Sequence, residues 1–261
     1  MEKHQFVNWE PSEGVAVITL DRPPLNILSK TVHAELAACV EQAAAEPAVR
    51  VLVITGAGDR AFSAGADISE FQAEMRPGGG RERAEREHGY LNRLAALEKP
   101  TIAAINGVAF GGGLEVALAC DLRIASENAR LALPEIKLGV FPGGGGTERL
   151  PRLVGMARAK EMMFTGEPVA TAEALRIGLV NRVTPAGQAL AAALEVGRAI
   201  AAHSGAALGI LKGVVDQSAD MPVEQAAGHV GEALEKTFLT EDLAEGVKAF
   251  FEKRPAVFRH R

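Results

Sequence analysis

The 261-residue chain predicts an α/β fold in which parallel strands alternate with helices. Three observations predict it. Short apolar runs, Val15–Ile18, Val51–Ile54 and Thr101–Ile105, have the length and β-branched content of buried strands. Longer segments between them repeat their apolar residues at helical spacing. After about residue 187 the strand-like runs stop, and Ala-rich helical patterns succeed one another. Strand, turn and helix in alternation is the signature of a parallel sheet covered by helices.

The elements follow in order. Val15-Ala16-Val17-Ile18 predicts a strand within 14–20, broken by Asp21-Arg22-Pro23-Pro24. Ser29 is placed to cap a helix carrying Val32, Leu36, Cys39 and Val40, which ends near Glu46-Pro47. Val51–Ile54 is a buried strand running into Thr55-Gly56-Ala57-Gly58. Arg76-Pro77-Gly78-Gly79-Gly80 predicts a mobile loop, having turn formers and no apolar anchor. A charged helix is expected from Arg81 to Leu97, then a strand over 101–105 ending at Asn106-Gly107. The triplet Gly111-Gly112-Gly113 opens an apolar helix through Cys120, and Leu122–Ala125 is again strand-like. Four helices are predicted beyond, over 188–203, 205–217, 222–237 and 241–252, punctuated by Pro222 and Pro255. The chain thus divides into a core over 1–186 and a helical subdomain over 187–261.

Composition narrows the function. With 48% hydrophobic and 23% charged residues, the chain can bury a sizeable core. A net charge of −5 gives no electrostatic reason to expect nucleic acid. The opening Met1 to Phe6 lacks the apolar core of a secretory signal, and no apolar stretch reaches a membrane span. Cys39 and Cys120 lie outside any CxxC pair and fit a reducing compartment, so a cytoplasmic protein with no membrane partner is expected. The six histidines show no metal-ligand spacing, and no metal is expected.

The chemistry gathers around Glu115 and Glu135. Each follows a segment built for close backbone approach, Asn106–Leu114 for the first and Leu133-Pro134 for the second. Two carboxyls at one apolar pocket would couple, so that one holds a proton while the other stays ionised. Such a pair suits adding a proton at one carbon and activating water at its neighbour. A glycine triplet at a helix start leaves amides free to hold an oxyanion, and Gly112 and Ala66 are the candidate donors. Blander readings stand beside these: tight packing for the glycines, a solvated first-turn position for Glu115, a surface loop for Glu135 and a helix cap for Asp67. Ser63 lacks the GxSxG elbow and nearby histidine of a hydrolase.

Four segments in order, Ala61–Ile68 (AFSAGADI), Ile102–Asp121 (IAAINGVAFGGGLEVALACD), Pro134–Gly139 (PEIKLG) and Phe141–Leu150 (FPGGGGTERL), resemble the crotonase superfamily, most of all its enoyl-CoA hydratases. Glu245–Arg254 (EGVKAFFEKR) extends the resemblance to the C-terminus. It implies a crotonase-like ββα spiral core with a C-terminal helical trimerisation region, assembled as a trimer or dimer of trimers. The implied reaction is hydration of a trans-2-enoyl-CoA to a 3-hydroxyacyl-CoA, with no cofactor beyond the coenzyme A of the substrate. Carried over by motif, the amides of Ala66 and Gly112 form the oxyanion hole, Glu115 activates the water added at C3, and Glu135 supplies the proton to C2. Gly143 helps hold that water, and Ala64 meets the adenine, with Asp67 and Ile68 in the same substrate-binding segment. Phe250 and Lys253 touch the CoA nucleotide, from a neighbouring subunit. The sequence departs from the hydratase pattern at Leu133 and Glu148, where glutamines are usual, and 22–26 lacks the common lysine. Other functions carried by this scaffold are an enoyl-CoA isomerase or other acyl-CoA lyase, a non-catalytic subunit, and an RNA-binding protein. Helix 30–46, with Lys30 as its only lysine, speaks against the last.

Overall fold

The computed structural model describes residues 4–260; Met1–Lys3, which belong to the opening segment read above, and Arg261 lie outside the described residues. β1 (Val7–Ser12) and β2 (Val15–Leu20) form an antiparallel hairpin. Its two-residue turn, Glu13-Gly14, holds both residues at positive φ, as a tight hairpin turn demands. α1 (Lys30–Ala45) starts where the sequence predicts, with the Ser29 hydroxyl accepting from the Val32 amide. β3 (Val51–Gly56) and β4 (Ala61–Ser63) lead to a 3-10 turn over Ile68–Glu70, a single turn α2 (Phe71–Glu74) and the long α3 (Gly79–Ala95). β5 (Thr101–Ile105), β6 (Val108–Phe110) and the short α4 (Gly112–Leu118) come next. β7 (Leu122–Ser126), β8 (Arg130–Ala132) and a 3-10 turn over Glu135–Leu138 repeat the pattern. The core closes with α5 (Gly146–Val154), α6 (Met156–Thr165), β9 (Val169–Ala170), α7 (Thr171–Arg176) and β10 (Arg182–Thr184).

Two sheets result. The larger runs β1-β2-β3-β5-β7-β10 and is parallel except at the β1 hairpin; the smaller runs β4-β6-β8-β9. The chain passes from one to the other three times, β3 to β4, β5 to β6 and β7 to β8, which is the ββα spiral expected from the resemblance. Side chains on successive strand positions face opposite ways. Ile18, Leu52 and Ile54 therefore join the cluster under Val32, Leu36 and Val40 of α1. Val15, Val51, Val53 and Ile102 face the other side, against Ala189, Ala193 and Ala201.

Those alanines belong to α8 (Ala189–Ala201), the first helix of the predicted C-terminal subdomain, which here covers the second face of the large sheet. α9 (Gly205–Ser218), α10 (Val223–Phe238) and α11 (Glu241–Glu252) match the other three predicted helices within a residue or two. Among the described residues no helix is long and apolar enough to cross a membrane.

Two expectations need revision. The charged helix begins at Gly79 rather than Arg81, and a Cβ built on Gly79 would lie 2.0 Å from the Glu74 carbonyl oxygen. Gly79 thus serves a close backbone contact between α2 and α3. The apolar helix after the glycine triplet stops at Leu118, two residues before Cys120.

Candidate active site

Two buried asparagines fix the loop that follows β3. Asn106 donates from Nδ2 to the carbonyls of Gly56 (3.0 Å) and Gly58 (2.7 Å), and Asn26 donates to those of Ala57 (3.1 Å) and Ala61 (2.9 Å). The chain then reaches Leu28, whose amide donates to the Gly65 carbonyl (2.8 Å) and whose carbonyl accepts from the Asp67 amide (3.0 Å). This parallel bridge uses the groups flanking Ala66 and turns the Ala66 amide to the opposite side.

Gly112 lies beside it. As the first residue of α4 its amide has no acceptor within the helix, and a Cβ built on it would lie 3.9 Å from the Ala66 nitrogen. Glycine is required on both sides of this approach. A Cβ on Gly65, whose φ is +93°, would meet the Phe110 carbonyl oxygen at 2.6 Å, and one on Gly113 would meet that of Ser63 at 2.3 Å.

Glu115, in the first turn of α4, is only 2% exposed. Its Oε1 accepts from the amides of Gly144 (2.8 Å) and Gly146 (2.9 Å), which lead into α5. Burial raises its proton affinity, and these two bonds partly offset the rise. Glu135 opens its 3-10 turn after Pro134, half-buried, with its Oε1 3.1 Å from where a Cβ on Gly111 would stand. Its Oε2 is buried with no protein partner. Burial foremost, then the charges of Glu115 and Glu87, push its pKa up to about 7.

Glu115, Glu135, Ala66, Gly112 and Gly143 all line one cavity of about 440 Å³. Leu28, Phe71, Leu138, Val140 and Phe141 give it an apolar wall. Five other predicted positions lie outside it. Ala64 is half-buried and donates its amide to the Leu25 carbonyl at 2.9 Å. Asp67 caps the 3-10 turn, accepting from the amide (3.1 Å) and hydroxyl (2.5 Å) of Ser69, and pairs with Arg22 at 2.9 Å. Ile68 is exposed. Phe250 and Lys253 stand exposed at the end of α11, away from the cavity of their own chain.

The cavity also contains His33, Arg83 and Glu87, which sequence reasoning passed over. A signal was present. Glu87 shares the helical stripe of Tyr90, Leu91 and Leu94, all buried, so it is an acid on the apolar face of a charged helix. His33 likewise follows Val32 on the buried side of α1.

The arrangement offers two acids of unequal surroundings and two adjacent amides beside an apolar chamber. A model of the family described as enoyl-CoA hydratase/isomerase matches residues 10–261. The chain belongs to the enoyl-CoA hydratase/isomerase family. Among its relatives there, the short-chain-enoyl-CoA hydratase of Clostridium acetobutylicum is 42% identical over 246 residues, 94% of each chain. The crotonyl-CoA hydratase of Syntrophomonas wolfei is 39% identical over 256 residues, 98% of each. The crystal structure of an enoyl-CoA hydratase from Bacillus anthracis superposes with a TM-score of 0.94 at 37% identity, covering 98% of this chain and all of that one. This enoyl-CoA hydratase/isomerase family member therefore shares both sequence and fold with hydratases along nearly its whole length.

Proposed function

We propose that this protein hydrates trans-2-enoyl-CoA thioesters to 3-hydroxyacyl-CoAs. The observation that carries the reading is the meeting of Glu115, Glu135, Ala66 and Gly112 at one apolar cavity. The amides of Ala66 and Gly112 grip the thioester oxygen and stabilise the negative charge that develops on it; one such donor is typically worth about 3 kcal/mol of barrier. That polarisation makes C3 electrophilic. Glu115, its Oε1 fixed by two glycine amides, uses its carboxylate to take a proton from water as the oxygen bonds to C3. Gly143 helps hold this water. Glu135, whose proton is retained to about pH 7 by burial, gives that proton to C2. Exchange with solvent returns each acid to its starting form.

The nucleotide end of the substrate meets the Ala64 carbonyl and the segment of Asp67 and Ile68. Phe250 and Lys253 of a neighbouring subunit complete this end, in a trimer or a dimer of trimers. Neither residue lines the cavity of its own chain, which supports a contribution across a subunit boundary.

Crotonyl-CoA and a 3-enoyl-CoA, assayed side by side in oxygen-18 water, test the reading. Loss of the conjugated enoyl absorbance with label entering C3 is the expected result. Conversion of the 3-enoyl substrate alone, without label, would make the protein an isomerase.

A further inference from the structure

Gly144 is held at both of its backbone groups. Its amide donates to Glu115 Oε1 at 2.8 Å, and its carbonyl accepts from Arg149 Nη1 at 3.2 Å. The other arm of that guanidinium, Nη2, donates to Asn92 Oδ1 on α3 at 2.7 Å. Gly145, at φ +111°, makes room for it: a Cβ there would lie 1.8 Å from Arg149 Nη1. Arg149 does not line the substrate cavity. With Asn92 and Leu118 it borders a separate one of about 430 Å³.

This is a costly place for a cation. Arg149 is the fourth residue of α5, and its guanidinium turns back toward the residues before the helix. The dipole at that end disfavours positive charge, and burial disfavours it too. What offsets the cost is the carboxyl beyond Gly144. The groups acting on Glu115 are the Glu87 carboxyl and Tyr90 hydroxyl of α3, Glu135, and Glu148 and Arg149 of α5. His88 of α3 stands 3.9 Å from Glu148. Of these, Arg149 alone is a permanent cation, because a guanidinium keeps its proton at any working pH. It favours the Glu115 anion, whereas burial and the Glu148 carboxylate oppose it.

Resting on the reading that Glu115 is the base, we propose that Arg149 is a positioning residue for hydration. Through Gly144 its guanidinium aligns the Glu115 carboxyl, and its charge favours the anion that takes the proton from water. Arg149→Met removes both effects. With crotonyl-CoA its kcat should fall about tenfold, as for a lost hydrogen bond to a charged group. The acid limb of kcat/KM should move to higher pH, because Glu115 without the cation holds its proton longer. The alkaline limb should move less, since the charges acting on Glu135 are those of Glu115 and Glu87. Acyl-CoA affinity, read by calorimetry, should change little. Arg149→Lys keeps the charge without the planar fork, so its acid limb should return toward wild type while kcat stays reduced. Asn92→Leu, at an exposed position, frees one arm of the guanidinium and should lower kcat with the charge retained. A wild-type acid limb in Arg149→Met, or one shifted equally by Met and Lys, would overturn the proposal and leave Arg149 a structural tie. If Arg149→Met does not fold, undiminished kcat in both Arg149→Lys and Asn92→Leu would do the same. Glu115→Gln, assayed alongside, tests the base reading by itself. Lost turnover there, with an unmoved limb in Arg149→Met, refutes the role of Arg149 alone.

Discussion

Glu115 and Glu135 share a cavity, but their surroundings suit them to different tasks. Glu115 has two amide donors that favour its anion against a strong desolvation, whereas Glu135 has a buried oxygen with no partner and two other carboxyls nearby. The second acid should therefore hold its proton to higher pH than an ordinary glutamate. In the proposed role Glu135 gives that proton to C2, so kcat/KM should fall as pH rises through about 7, the value to which Glu135 is pushed. It should fall again in acid, where Glu115 becomes protonated and loses its capacity as a base. Because the carboxyls interact, the two limbs report the pair. Glu115→Gln and Glu135→Gln should each lower kcat by roughly 10²- to 10⁴-fold while acyl-CoA affinity, read by calorimetry, changes little. A flat pH profile through neutrality, or near-normal turnover by either variant, would contradict these roles.

At the scale of elements, the contact between α4 and the β4 strand depends on a missing side chain. Alanine ordinarily favours a helix over glycine by about 1 kcal/mol. At Gly113 the added Cβ would lie 2.3 Å from the Ser63 backbone oxygen, so the loops of Ala66 and Gly112 would have to part. Gly113→Ala should thus destabilise by about 1–3 kcal/mol and lower the melting temperature by several degrees. Gly89→Ala, within α3 and with nothing within 4 Å of its Cβ, should raise it slightly. Equal shifts in the two melts would refute the close-contact argument. The same elements explain what could be read from sequence. β2, β3, β5 and β7 were legible because each is a continuous apolar run, and α1 because Ser29 and its apolar spacing mark its start. The smaller sheet was not. β4, β6 and β8 have three residues apiece, too few for any periodicity to register, and they pair with strands remote in sequence. The two glutamates and the two amides stood out through their glycine-rich settings. His33 and Glu87 were hidden by neighbours: a charged run such as Arg81 to His88 looks solvated until its buried stripe is traced.

The whole molecule is unevenly finished. α8 seals the large sheet, but α9 buries no residue and α10 buries only Ala233. Leu211, Val215, Leu234, Phe238 and Leu239 remain exposed on these helices and just beyond. Polar ties hold the tail in place: Lys212 pairs with Asp121 at 2.9 Å, and buried Asp242 accepts from the Ser204 hydroxyl (2.6 Å) and the Arg259 amide (2.6 Å). Such ties orient the helices without covering their apolar faces, and isolated helices of this length are marginal in water. Packing against other copies of the chain would cover those faces and bring Phe250 and Lys253 to a neighbour's substrate. Sedimentation equilibrium should then give a multiple of three chains. Leu234→Asp combined with Phe238→Asp should shift the protein toward monomer, with far-ultraviolet circular dichroism retained because neither residue supports the core. Acyl-CoA affinity should drop together with assembly, since the nucleotide end would lose its contacts from the next subunit. A wild-type monomer with undiminished acyl-CoA binding would show that one chain holds its substrate alone.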